Sequence, residues 1–426
     1  MSAEPLVASR AAEAPVGGTL AIAAAIAGNA LEWFDFTVFN LFSIYIAKAF
    51  FPAGNELTSL LLALATYGVG FVLRPVGAIV LGQYADRAGR RAALTLIILL
   101  MLVGSAMIAF APTYAQAGPA APVLIVVARL IQGFSVGGEM GGATAYLIET
   151  APANRRGFFA SWQYAGQAGA SLGGAVLAFT LTHLLGSAAV YEWGWRIPFI
   201  LGLSIAPIGL YLRSRVPESP AFLAERPTGR APLAVLWQAH RGALLRSFCL
   251  TIQLTACTYL IVIYMPTFAI HALGFMPDAA FKASAVASLL YLVMNPVAGR
   301  ISDSLGRLPQ LLLSSLALAL LVYPAFLLIT AHPSLLVLTA VQGFMAVVLA
   351  MYTGSSASQI GEMFPPAVRS TGLSLSYNIA VPIFGGFAPY IVTRFDSGGH
   401  MTPAYYMIAC AVPTLATLLW MRAARR

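Results

Sequence analysis

The sequence predicts an all-α membrane protein with twelve transmembrane helices in two parallel six-helix repeats. Three observations predict it. Of 426 residues, 59% are hydrophobic and only 9% charged, against about 25% charged in soluble domains. Uncharged runs recur at lengths that cross a bilayer, which takes about 20 apolar residues in a helix. Finally, the second half of the chain repeats motifs of the first. This composition excludes a cytosolic enzyme, a secreted domain and a disordered chain.

The uncharged runs place helices over 19–48, 57–83, 92–112, 122–149, 157–185, 195–214, 243–271, 281–302, 309–330, 335–361, 368–393 and 402–421. The first four include spans that tolerate internal charge: Glu32 and Asp35, then Arg74, then Arg129 and Glu139. The fifth follows from Gly157 to Tyr191, which holds no charged residue. Leu308 to Gly361 holds none over 54 positions, room for two spans about the His332-Pro333 turn. Ser370 to Thr393 and Ser397 to Met421 give one span each.

Basic residues orient the spans. With a cytoplasmic N-terminus, 18 of the 24 Lys and Arg fall on the cytoplasmic side, 4 outside, and Arg74 and Arg129 within spans. Such asymmetry is the positive-inside pattern. The net charge of +9 is therefore a topology signal, and no nucleic-acid partner is expected. Residues 1–17 carry Glu4, Glu13 and only Arg10, a poor start for a cleaved signal peptide. The expected location is the plasma (inner) membrane, crossed several times, with both termini cytoplasmic. Cys249, Cys257 and Cys410 lie in apolar runs, and the five histidines are scattered without metal spacing.

Two blocks recur. Gly82-x3-Asp86-x2-Gly89-Arg90 returns as Gly299-x3-Asp303-x2-Gly306-Arg307, an offset of 217. Glu149, Pro152, Arg156, Ser161, Tyr164 and Gly173 return as Glu362, Pro365, Arg369, Ser374, Tyr377 and Gly386, an offset of 213. The expected organisation is a tail (1–18), a six-helix bundle (19–214), a cytoplasmic linker rich in Arg and Pro (215–242), a second bundle (243–421) and a short tail (422–426). Parallel repeats of this kind bind substrate between the halves near the midplane and expose it alternately by rocking.

Charge inside a membrane costs about 2.5–3.5 kcal/mol on insertion scales, so it marks function by default. Every such charge lies in the first half. On the first helix Asn29, Glu32, Asn40 and Ser43 share a face, with Asp35 at its edge; on the fourth, Arg129, Gln132 and Glu139 share a stripe. A carboxylate on such a wall takes and releases a proton as its surroundings alternate. Glu32, Asp35 and Glu139 are therefore the proton-coupling candidates. Asn29, Arg74, Arg129, Gln132, Gln163, Tyr164 and Gln167 are substrate candidates from the first half. The second half offers neutral groups instead: Tyr259, Tyr352, Tyr377 and Asn378. The alternative for all of them is packing or internal pairing. Asp86, Arg90, Glu149 and Arg156, with Asp303, Arg307, Glu362 and Arg369, sit at helix ends and suit a gating latch. Gly137-Gly138-x2-Gly141-Gly142 follows no strand and precedes no Lys, so it reads as helix packing. No Walker motif occurs, which argues against ATP drive.

These strings carry a resemblance. Gly82-Gln-Tyr-Ala-Asp86-Arg-Ala-Gly89-Arg90-Arg91 and Arg129-x2-Gln132-Gly133 resemble signatures of the major facilitator superfamily. Gly28-Asn29-x2-Glu32-Trp33-x-Asp35-Phe36, Arg74-Pro75-x-Gly77, Gln132-Gly133-Phe134-Ser135-x-Gly137-Gly138-Glu139, Trp193-Gly-Trp195-Arg196-Ile-Pro198-Phe199 and Pro217-Glu218-Ser219-Pro220 resemble its metabolite:proton symporters. Leu81-Gly82-x-Tyr84-x-Asp86-Arg87 and Phe384-Gly385-Gly386-Phe387-x-Pro389 are most similar to the citrate/tricarballylate branch. The resemblance implies import of a small organic carboxylate, citrate first, by proton symport. It leaves 2-oxoglutarate, shikimate, or proline and betaine as alternatives. A monomer without cofactor is expected, driven by the proton gradient, with sodium the alternative ion. A non-transporting membrane sensor on the same scaffold is the remote reading, and a membrane enzyme is remoter.

Overall fold

The computed structural model describes residues 18–88, 90–137, 140–204 and 232–424. Glu139 and most of the expected linker lie outside the described residues, as do the side chains of Asp86 and Arg90. Among the described residues there is no strand.

Among the described residues, twelve helical rods follow one another, the sixth described only over its first residues. We number them α1 (Gly18–Leu41, continued by Ser43–Phe50), α2 (Glu56–Tyr84), α3 (Arg90–Ala109), α4 (Ala120–Glu149), α5 (Arg156–Glu192) and α6 (from 197). The second set is α7 (Arg241–Leu273), α8 (Pro277–Leu305), α9 (Arg307–Ala331), α10 (Leu335–Gly361), α11 (Pro366–Arg394) and α12 (Thr402–Ala423). Nine of them, among the described residues, are apolar and long enough to cross a membrane. They match the expected spans to within a few residues. A short helix, Pro232–Ala239, falls inside the stretch expected as linker and packs on α11.

Local chemistry sets the ends. The Asn55 side chain accepts from the Thr58 amide at 2.7 Å and starts α2, as an N-cap should. Gly274, at φ 69°, stops α7 in the left-handed region that glycine tolerates. Gly186, at φ 75°, breaks α5 one residue beyond its expected end at 185. Inside α2 the backbone tightens: Phe71, Val72 and Arg74 donate to carbonyls three residues back. Such three-residue bonding mid-helix often marks a functional bend, and it lies directly before Arg74. Helices α7 and α11 each carry a π-helical stretch, Thr258–Tyr264 and Val381–Gly386, and the two stretches touch.

Equivalent pairs pack in each half: α1 on α5 and α7 on α11, α2 on α4 and α8 on α10. The halves meet most extensively where α5 crosses α8. There a Cβ at Gly157 would lie 2.6 Å from the Gly299 carbonyl, and one at Gly299 equally close to that of Gly157. Only glycine lets these backbones approach so closely. Within the first half, Gly133 of α4 abuts the Gly70 carbonyl of α2, and Gly137 abuts that of Arg74. These contacts bring the two arginine-bearing helices together.

Candidate functional site

Among the described residues, five charged side chains are buried: Glu32, Asp35, Arg74, Arg129 and, at one end of the bundle, Arg369. The first four form the centre of the first half. Arg74 pairs with Glu32 at 3.9 Å. Arg129 donates from Nη1 to Gln132 Oε1 at 2.9 Å. Gln132 Nε2 in turn donates to Ser105 Oγ at 3.0 Å and to Asp35 Oδ2 at 3.4 Å. Ser105 Oγ also donates to that carboxylate oxygen. The two carboxylates thus sit in different networks.

Aromatic rings hold both guanidiniums. Arg129 lies 4.2 Å from the Phe36 ring centre, 4.5 Å from Phe39 and 5.3 Å from Tyr67. Arg74 lies 4.8 Å from Phe36 and 4.5 Å from Phe71. Cation–π contact of this kind stabilises a desolvated cation by about 2 kcal/mol. Arg129 Nε and Nη2 and Arg74 Nε have no hydrogen-bond partner among the described residues. Buried donors without partners are rare and call for an explanation; an anion that reaches these edges supplies one.

The second half closes over this wall with neutral groups. Tyr259, from the π-helical part of α7, contacts Trp33, Tyr67 and Phe71, with ring centres 5.7, 6.2 and 5.5 Å away. Its hydroxyl is buried and has no partner among the described residues. Tyr259 and Tyr377 both lie within electrostatic reach of Arg74 and Glu32. Tyr164 and Tyr377, equivalent in the repeat, line one cavity between the halves with Met140, Thr144, Thr251 and Ser376. The repeat also places Gln342 where the first half has Arg129. There the amide donates to the Ile261 carbonyl at 3.0 Å and to Ser284 at 2.9 Å, inside its own half.

Other candidates are distributed differently. Asn29 donates to the Gln163 carbonyl at 3.1 Å and ties α1 to α5. The Gln163 side chain is buried without a hydrogen-bond partner among the described residues, whereas Gln167 sits 4.0 Å from Met140 Sδ. Asn378 reaches across the halves to the Gly137 carbonyl at 2.6 Å. The Tyr352 hydroxyl donates to the Leu250 carbonyl at 2.8 Å within the second half, so it is already engaged. Asp35 points towards α3 and α6 instead of the second half: a Cβ at Gly202 would lie 2.7 Å from its Oδ1.

The end of the bundle where α4, α5, α10 and α11 turn carries the charged contacts between halves. Arg369 pairs with Glu149 at 3.0 Å and Arg156 with Glu362 at 3.7 Å, and within the second half Arg307 also pairs with Glu362. Asp303, 3.7 Å from Arg307, accepts from the Gly157 and Phe158 amides at 2.7 and 2.9 Å. A carboxylate from one half thereby caps the positive helix end of the other. The opposite end is closed by neutral contacts. Ser43 meets Thr267 at 3.3 Å, and Phe42 stacks on Phe281 with centres 6.1 Å apart.

Sequence reasoning did not single out Tyr67, the clamping rings Phe36 and Phe71, Ser105 or Gly202. The signal available was spacing: Phe36 with Phe39, and Tyr67 with Phe71, share helix faces. Ser105 is one polar residue in an otherwise apolar stretch.

Comparison with known proteins agrees with this architecture. Residues 20–231 match the family described as "Sugar (and other) transporter", and residues 279–426 match "Major Facilitator Superfamily". A citrate-proton symporter of Klebsiella pneumoniae is 36% identical over 396 residues, covering 92% of this chain and 89% of that one. The proline/betaine transporter of Escherichia coli strain K12 is 34% identical, covering 94% and 83%. The alpha-ketoglutarate permease of the same strain is 34% identical, covering 91% and 90%. Among solved structures, the E. coli proton:xylose symporter XylE bound to 6-bromo-6-deoxy-D-glucose superposes with a TM-score of 0.79. Its identity is 18%, covering 95% of each chain, so that likeness concerns the fold.

Proposed function

The chain belongs to the major facilitator superfamily, and from that membership we propose that it imports a small organic carboxylate together with protons. It is a multi-pass membrane transporter, not an enzyme. The observation that carries the substrate reading is the pair of buried guanidiniums, Arg74 and Arg129, with unpaired N–H edges beside the aromatic cluster that Tyr259 joins. Charge-assisted pairing of guanidinium and carboxylate is strong and directional. Citrate is the first candidate, since the citrate-proton symporters are 36–37% identical to this chain.

Coupling follows from the two networks. An anion drawn to Arg129 competes with Gln132, and one drawn to Arg74 competes with Glu32. A carboxylate that loses its cationic partner in a buried site is stabilised by taking a proton. The proton gradient then drives uptake without a bound cofactor, and sodium is the alternative driving ion. Rocking of the halves opens the two ends in turn, and the charged end faces the cytoplasm together with both termini. The protein works as a monomer in the inner membrane.

A second reading has one observation in its favour. Trp33, Phe36, Tyr67, Phe71 and Tyr259 form an aromatic cluster beside Glu32, the kind of surroundings that hold a quaternary ammonium. A zwitterionic osmolyte such as betaine would use it. Counterflow in proteoliposomes separates the readings: labelled citrate, 2-oxoglutarate, shikimate, proline and betaine are each offered to the purified protein. Exchange of a di- or tricarboxylate supports the first reading, and exchange of betaine or proline alone supports the second.

A further inference from the structure

We propose that Ser105 on α3 and Gly202 on α6 are positioning residues that seat the Asp35 carboxylate, and that Gln132 links its protonation to the occupancy of Arg129. This rests on the proton-coupled reading above and names how the coupling is built. Asp35 turns away from the second half. One carboxylate oxygen accepts from Ser105 and from Gln132 Nε2. The other faces Gly202, where a Cβ would lie 2.7 Å away. A hydrogen-bonding wall from α3 and a bare backbone from α6 therefore leave the carboxylate one position.

Gln132 can sit in only one orientation. Its NH2 faces two acceptors, Ser105 Oγ and Asp35, and its carbonyl accepts from Arg129 Nη1. When an anionic substrate draws the guanidinium, the Gln132 carbonyl loses its donor and the amide is released. Asp35 then loses one of its two donors and the nearby positive charge, and takes a proton from hydronium in the solvent that enters with the substrate: an O–H bond forms on the carboxyl as one breaks in hydronium, which departs as water. The buried charge stays balanced because one anion arrives as another is neutralised. The groups facing Asp35 are Ser105 from α3, Gly202 from α6, and Gln132 with Arg129 from α4. On its own helix Glu32 lies one turn away, paired with Arg74 of α2, and Tyr67 of α2 borders Arg129.

The test uses the full-length protein in proteoliposomes with labelled citrate, comparing wild type, Ser105→Ala, Ser105→Thr and Gly202→Ala. Ser105→Ala removes a donor to the charged form, so the proton is held to higher pH. The midpoint of pH-gradient-driven uptake rises by about one unit. At a pH low enough that Asp35 is protonated in both proteins, the KM for counterflow stays within about twofold, because no group that touches the substrate has changed. Ser105→Thr restores the hydroxyl and the wild-type profile. Gly202→Ala pushes the carboxylate off its seat and abolishes accumulation while exchange continues. A Ser105→Ala profile that coincides with wild type overturns the proposal. If Ser105→Ala does not fold, unchanged accumulation by Gly202→Ala overturns it instead. A wild-type protein that exchanges carboxylates but ignores a pH gradient refutes the proton-coupled reading itself, a different outcome.

Discussion

Glu149 accepts a hydrogen bond from Arg369 at 3.0 Å across the two halves. Their repeat counterparts, Glu362 and Arg156, make the reverse pair at 3.7 Å. Each half thus contributes one acid and one base to the same closed end. The partly exposed Arg156–Glu362 pair contributes about 0–1 kcal/mol, weak enough to break in every cycle, while the Arg369–Glu149 pair is largely shielded from solvent. Glu149→Gln is expected to loosen this end. A cysteine placed at Thr144, which lines the cavity, should then react with an impermeant maleimide up to about fivefold faster from that side. Equal labelling with failed transport assigns the pair another role.

Arg129 is the anchor of the carboxylate reading. Arg129→Ala should weaken citrate binding by about ten- to a hundredfold, the cost of a lost charge-assisted bond. Arg129→Lys should recover part of it, since an ammonium lacks the planar fork. Binding to detergent-purified protein by calorimetry measures both. Unchanged affinity in Arg129→Ala removes it from the site.

Two buried arginines flank one ring, Phe36, at 4.8 and 4.2 Å. Substrates with two or more carboxylates can engage both. They should compete with labelled citrate roughly tenfold better than monocarboxylates of similar size. Equal competition by a monocarboxylate means that one arginine alone reads the substrate.

The carboxylates separate by paired assays. Asp35→Asn should abolish uphill accumulation and preserve counterflow, because exchange need not release the proton. Glu32→Gln removes the partner of Arg74 and should change the KM for counterflow as well. Glu139→Gln completes the set. If all three accumulate substrate against a gradient like wild type, the proton is carried elsewhere, and sodium-driven or uniport transport becomes the better reading.

Gly133 is a structural probe of the same site. Its Cβ would strike the Gly70 carbonyl, so Gly133→Ala forces α4 from α2. Overpacking of this kind costs about 1–3 kcal/mol, and the shift moves Arg129. A lowered melting temperature together with a raised KM is expected; a change in neither means that the helices adjust without moving the arginine.

The amino-acid sequence by itself determined the helical spans, the two-fold repeat and the inventory of intramembrane charge. Those follow from local rules: apolar run length, identity at fixed offsets, and the cost of burying a charge. It also marked Tyr164 and Tyr377 as equivalent positions of the repeat; that both line one cavity is a result of how the halves pack. Only the tertiary structure decided which way each charge faces. Glu32 and Asp35 lie one turn apart on α1, yet one meets Arg74 near the second half and the other turns to Ser105 and Gly202. A helical face is about 100° wide, and helix periodicity cannot say which neighbour fills it. That depends on how closely α2 and α4 approach, which is set by glycine contacts between segments some sixty residues apart. For the same reason the aromatic clamp on the arginines and the donor on α3 emerged only when the helices were packed.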